Sequence, residues 1–268
     1  MVYGAIANHE PIIYEEKGQA AWIYLNRPTE MNSLSKKMIT GLIQVLQEAE
    51  QNNDIRVVVL SGKGKAFCAG ADLKELLVDL NKKPDGEKGL LDYAEELFHA
   101  LNHLSKPLIA ALNGITLAGG LEIAMTADIV IASEKAKIGD GHSNFGVLPG
   151  GGGAVRLPRE IGINRAKYLL LTGDFISAKE MKDYGFVNEV IPDDELVEAV
   201  QKIADKISTK SPLVLREIKR LVTDGLEQPL ETALRLELLA LKNHTRSYDF
   251  QEGLSAFSEK RVPDFKGY

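Results

Sequence analysis

Cysteine is almost missing from this chain, and several chemistries go with it. Cys68 is the only one, so an intrachain disulfide and a four-cysteine zinc site are both excluded. Positive charge is not in excess either. Lys and Arg number 32 against 38 Asp and Glu, a net charge of −6, which argues against an electrostatic grip on nucleic acid. No uninterrupted apolar run approaches the roughly 18 residues a membrane-spanning helix needs. The opening residues MVYGAIANHEPIIYEE lack a basic region followed by an apolar stretch, so no signal peptide is expected. These absences together predict a reducing setting, the cytoplasm or an organelle matrix, and neither a membrane nor a nucleic-acid partner. Glycine is plentiful, but not in phosphate-binding order. Gly62 and Gly64 are followed by Phe67, and Gly150 and Gly152 by Val155, where a dinucleotide fingerprint needs a third glycine; no Gly-Lys pair precedes Ser or Thr.

What is present alternates. Residues 11–16 and 20–25 are β-rich runs around Lys17-Gly18, a hairpin signal. Ser35 is placed to cap a helix reaching about residue 52, with Met38, Leu42, Val45 and Leu46 on one face. Residues 57–60, 107–112 and 129–132 read as strands buried on both sides. Helices are expected from Asp72 onward, over 89–104 and over 121–126, with a polar surface segment at 78–88 holding Pro84 and Gly86. The repetition of strand, glycine-rich turn and helix predicts an α/β core. From about residue 164 the pattern turns helical, broken by one strand-like stretch at 187–190. The change of pattern suggests a core in residues 1–200 and a C-terminal helical region in 201–268, either a small second domain or an oligomerisation layer that could also cover the active site.

Two turns carry the chemical signal. KAFCAGADLKEL spans 65–76, and NGITLAGGLEIAMTADIVIASEKAKIG spans 113–139. In the second, Gly119-Gly120 opens a helix in which Leu121, Ile123 and Ala124 are apolar and Glu122 is not. A carboxylate in such company is either on a solvated first turn or a general base beside main-chain amides that hold an oxyanion. The run Gly150–153 reads as close packing of a tight turn. His99 and His103 are four apart on one helix, a metal-compatible spacing that lacks a third ligand, and no metal site is expected.

These segments, with FGVLPGGGGAVRLPREIG, LLLTGDFISAKEMKDYGFVNEVIP and QEGLSAFSEKR, resemble the crotonase family of enoyl-CoA hydratases and isomerases, collinearly from about Ile13 to the C-terminus. The resemblance implies a crotonase-type α/β fold of repeated ββα units with two sheets and a C-terminal helical region. It implies an acyl-CoA thioester whose oxygen is held, as it becomes an enolate, by the main-chain amides of Ala69 and Gly119. The turn of Ala69, Gly70, Ala71 and Asp72 would line the CoA, with Arg27, Lys65 or Lys260 meeting its phosphates. Coenzyme A is then part of the substrate, and no separate cofactor is expected. A homotrimer or hexamer is implied as well.

Glu122 matches the first of the family's two catalytic glutamates. At the second position this chain carries His142. Three reactions stay open on these residues: hydration with His142 replacing the glutamate, isomerisation by Glu122 alone, and hydrolysis of a thioester or β-dicarbonyl. A non-catalytic acyl-CoA-binding protein is the reading outside enzymology.

Overall fold

The structure, a computed structural model, describes residues 7–82 and 86–268. Its strands in chain order are β1 (Ala7–His9), β2 (Ile12–Lys17), β3 (Ala20–Leu25), β4 (Val57–Gly62), β5 (Ala66–Cys68), β6 (Leu108–Leu112), β7 (Ile115–Leu117), β8 (Ile129–Ser133), β9 (Lys137–Gly139), β10 (Phe175–Ser177) and β11 (Glu189–Ile191). The helices are α1 (Lys36–Gln51), α2 (Leu73–Lys82), α3 (Leu90–Asn102), α4 (Gly119–Ala124), α5 (Gly153–Ile161), α6 (Ile163–Thr172), α7 (Ala178–Asp183), α8 (Leu196–Ser208), α9 (Pro212–Gly225), α10 (Leu230–His244) and α11 (Tyr248–Glu259).

Two sheets organise these elements. The larger runs β1-β2-β3-β4-β6-β8-β11 and the smaller β10-β9-β7-β5. β2 and β3 pair antiparallel, as the hairpin signal predicted, β1 adds antiparallel to β2, and from β3 to β11 every pairing in the larger sheet is parallel. Successive side chains of a strand point to opposite faces, and here both faces are buried. Trp22, Tyr24, Val57, Val59, Ile109 and Ala111 meet Leu196, Val200 and Ala204 of α8. Ile23, Leu25, Val58, Leu60, Ala110 and Leu112 meet α1 and α3 on the other side. Ser35 caps α1, its hydroxyl accepting from Met38 N at 3.1 Å.

The smaller sheet has little sequence signal. Its four strands are three residues each, too short for an alternation to register. They form because each of β4, β6 and β8 is followed at once by β5, β7 and β9, which pair in parallel with one another. This is the ββ repeat of a crotonase-type fold, and it delivers the turns after β5, β7 and β9 to one place. The turns close tightly. A Cβ on Gly120 would stand 2.1 Å from Cys68 O, so the chain after β5 and the start of α4 touch through main-chain atoms.

Two boundaries differ from expectation. The segment expected to be polar surface at 78–88 is helical as far as Lys82, and Pro84 lies outside the described residues. The border expected at residue 200 falls inside α8, whose apolar face covers the larger sheet. The helical region separate from the core therefore begins at α9.

Candidate active site

Glu122 sits on the first turn of α4 and is 3% exposed. A carboxylate so buried needs partners, and it finds them in the glycine run. Its Oε1 accepts from Gly151 N at 2.7 Å and from Gly153 N at 2.9 Å. The run read from sequence as scaffolding thus holds the candidate base. Glycine is required there by space. A Cβ on Gly151 would overlap the Phe98 ring at 2.1 Å, and one on Gly153 would come within 2.9 Å of Asp140 Oδ2 and 3.2 Å of Glu122 Oε1.

With Oε1 engaged, Oε2 is the oxygen that faces His142, at 4.0 Å from Nε2. His142 opens a short 3-10 turn (His142–Phe145) between Gly141 and Gly146, both left-handed. Its Nδ1 lies 2.9 Å from Asp140 Oδ2, and its main-chain N donates to Asp140 Oδ1 at 3.2 Å. Burial alone would push the imidazole below its ordinary range. The hydrogen bond and charge of Asp140, with the charge of Glu122, outweigh that and raise it. Asp140, itself 1% exposed, is a site residue that sequence reasoning missed. The signal that could have found it is Asp-Gly-His, where a central glycine lets the chain fold back on its own carboxylate.

The facing turn corrects one expectation. Ala69 N already donates to Met31 O at 3.0 Å, so it is not free to hold an oxyanion. Ala71 is placed to do so. The chain around it bridges to Leu34 through Gly70 O and Asp72 N, which turns the Ala71 amide away from Leu34. A Cβ on Gly119 would lie 3.7 Å from Ala71 N, which sets Ala71 beside the opening of α4. Ala118, just before, has φ 48° and ψ −121°. That conformation costs an alanine about 1–3 kcal/mol, and it turns the chain from β7 into α4 with Gly119 beside Ala71.

Asn32 ties this turn to the core. Fully buried, it donates to Ala66 O at 2.7 Å and Lys63 O at 3.0 Å and accepts from Arg27 N at 2.8 Å. Arg27, expected at a phosphate, is instead engaged within the protein. Its guanidinium meets Asp72 Oδ2 at 3.0 Å and Ser33 O at 2.8 Å. Burial would push the Asp72 carboxyl up, but main-chain N–H groups at the start of α2 and Arg27 together hold it below its ordinary value. The pair braces the 69–72 turn. Lys65 is exposed at the start of β5, and Lys260 ends α11 in a left-handed conformation; among the described residues neither is bonded to Glu122 or His142. Burial pushes the Cys68 thiol up to about 12, which removes it as a nucleophile near neutrality.

The remaining described histidines lie elsewhere. The rings of His99 and His103 stack with centroids 4.0 Å apart, and His244 meets Ser247 Oγ at 3.2 Å. Among the described residues no group of three His, Cys, Asp or Glu could hold a metal ion, and no helix is long and apolar enough to cross a membrane.

Comparison with known proteins places this geometry. The family model described as enoyl-CoA hydratase/isomerase matches residues 15–268. The chain is 36% identical to the short-chain-enoyl-CoA hydratase of Clostridium acetobutylicum, over 95% of this chain and 97% of that protein. It is 36% identical to the crotonyl-CoA hydratase of Syntrophomonas wolfei, over 96% of this chain and 98% of the other. The crystal structure of an enoyl-CoA hydratase from Bacillus anthracis superposes with a TM-score of 0.90 at 38% identity, covering 96% of this chain and all of that one.

The glycine run yields a contrast between neighbours. Nothing lies within 4 Å of a Cβ on Gly150, whereas one on Gly151 meets the Phe98 ring. Gly150→Ala should leave the urea unfolding free energy within about 0.5 kcal/mol of wild type, and Gly151→Ala should lower it by about 1–3 kcal/mol. Equal stability of the two variants would contradict this placement of Phe98.

Proposed function

We propose that this chain, which belongs to the enoyl-CoA hydratase/isomerase family of the crotonase superfamily, adds water across the C2=C3 bond of a 2-enoyl-CoA. The observation that carries the reading is the 4.0 Å gap between Glu122 Oε2 and His142 Nε2. It is too long for a direct hydrogen bond. Two bonds of about 2.8 Å meeting at one oxygen at about 90° span it, so the gap has room for one shared water. Isomerisation moves a proton between carbons and needs no such water, which favours hydration over it.

The chemistry follows from the two environments. Glu122 Oε2 takes a proton from the water as its oxygen bonds to C3. The π electrons move toward the thioester, and the resulting enolate oxygen is met by the amides of Ala71 and Gly119. Donors placed where charge develops are worth about 3 kcal/mol each in comparable sites. His142, protonated for this step, gives its Nε2 proton to C2. The proton on Glu122 then returns to His142, and one water has been added with no net change in the enzyme. The Arg27–Asp72 ion pair sets the position of the 69–72 turn along which the CoA lies, while Lys65 and Lys260 are its candidate phosphate contacts.

Exposed apolar positions on α2, Leu77 and Leu80 among them, are the candidate determinants of acyl-chain selectivity. The α9–α10 pair supports assembly into a homotrimer or hexamer. Neither helix has a fully buried residue, and Val222, Leu226, Leu230, Leu234 and Leu238 are exposed. Residence in the cytoplasm is part of the same proposal.

The test is to add crotonyl-CoA and follow the enoyl-thioester absorbance. The absorbance should fall, and Glu122→Gln or His142→Ala should each reduce kcat by about 10²–10⁴-fold. Because His142 is raised above its ordinary range and acts as the acid, kcat should be lost as pH rises through its folded value. Light scattering should report a trimer or a multiple of it. A protein that binds crotonyl-CoA without changing its absorbance, a Glu122→Gln variant with wild-type turnover, or a monomer would each contradict the corresponding part.

A further inference from the structure

We propose that Asp140 is the positioning residue of the site: it locks the His142 ring with Nδ1 as donor and Nε2 aimed at Glu122, and so makes His142 an acid. Only the kinetic arm of this inference rests on the hydration reading; the ring's tautomer and charge do not.

Geometry comes first. Both oxygens of Asp140 are spent on one residue, Oδ1 on the main-chain N of His142 and Oδ2 on its Nδ1. A carboxylate that only braced the turn would need the first of these. The ring bond is the shorter, 2.9 Å against 3.2 Å, and it fixes the ring's rotation as well as its position. The arrangement depends on Gly141, whose φ of 69° reverses the chain after β9. The carboxylate is seated under the same turn that holds Glu122, with Oδ2 at 2.9 Å from where a Gly153 Cβ would be. Two acids therefore bracket one imidazole, Asp140 on the Nδ1 side and Glu122 on the Nε2 side.

Tautomer logic follows from this bracket. An ionised carboxylate only accepts, so Nδ1 must carry a proton. A neutral ring would then turn the Nε2 lone pair toward Glu122 Oε2, anion against lone pair. A protonated ring turns an N–H toward it. Each acid thus favours the imidazolium, and their combined pull exceeds the opposing effect of burial. Of the other charged groups on the neighbouring elements, Arg165 on α6 stacks over Tyr184 at 4.2 Å, Asp174 bonds the Tyr168 hydroxyl, and Arg156 on α5 donates to Asn102 Oδ1 at 2.7 Å; Arg159, Glu160 and Lys167 on the same helices exert no charge effect on the ring, on which only Asp140 and Glu122 act. The charge state of His142 is therefore set by Asp140 and Glu122.

The experiment is a 15N titration of the His142 ring in wild type and Asp140→Asn, with crotonyl-CoA kinetics on the same samples. Wild type should show Nδ1–H in its neutral form. In Asp140→Asn the titration midpoint should fall by about one pH unit or more, and the high-pH limb of kcat should move with it. At neutral pH kcat should drop about 10–100-fold, with KM held within about threefold, and Asp140→Glu should restore part of both the midpoint and kcat. An unchanged midpoint in folded Asp140→Asn would overturn the assignment. So would an Nε2–H neutral tautomer in wild type, which decides the matter even if the variant does not fold. If the midpoint shifts as expected while neither protein hydrates crotonyl-CoA, the assignment of Asp140 stands and the hydration reading falls.

Discussion

Two main-chain amides on one carboxylate oxygen are the constraint on which this site depends. Gly151 and Gly153 donate to Glu122 Oε1, and this does three things at once. It compensates the burial of a carboxylate that is 3% exposed, where an unpartnered charge would be strongly unfavourable. It leaves Oε2 as the one oxygen that can exchange a proton. It also pins the start of α5 to α4, so the loop carrying His142 closes over a fixed carboxylate. Main-chain donors hold the oxygen without competing side-chain protons, a suitable arrangement for a group that must gain and lose a proton in every cycle.

The rest of the fold serves to bring that contact opposite the 69–72 turn. The larger sheet is packed on both faces, by α8 on one and by α1 and α3 on the other. A strand core of this kind is rigid, and β4, β6 and β8 each pass directly into a strand of the smaller sheet. The turns that follow are spaced by main-chain contact, as where Gly120 lies against Cys68 O. Asn32 and the Arg27–Asp72 pair then brace the first turn from behind. Ala118 takes a positive φ where the chain turns from β7 into α4, and Met31 and Asn32 do so behind the facing turn.

Much of this was legible in the residues. Strands that are buried on both faces read as continuous apolar runs, and those at 57–60 and 107–112 did. Glu122 stood out because a charge among Leu121, Ile123 and Ala124 has no packing role. Collinear motifs placed His142 opposite it. What escaped has a common physical cause: it resides in main-chain direction, which side-chain identity does not encode. Ala69 and Ala71 are both small residues in one turn, and only the bond from Ala69 N to Met31 O decides between them. The glycine run read as packing because its function lies in two N–H groups. Asp140 is two residues from His142, and its approach to the ring depends on the left-handed Gly141. The three-residue strands of the smaller sheet lie below any detectable periodicity.

Hydration as proposed requires one thioester oxygen to be met by Ala71 and Gly119 while one substrate oxygen at C3 is shared by Glu122 and His142. A crystal structure with a 3-ketoacyl-CoA bound tests both halves together, since its enolate carries oxygens at both positions. The thioester oxygen is expected within about 3.1 Å of the Ala71 and Gly119 amides, and the C3 oxygen between Glu122 Oε2 and His142 Nε2. A thioester oxygen bound elsewhere, with Ala71 N turned away from it or His142 rotated off Asp140, would contradict the proposed hydration.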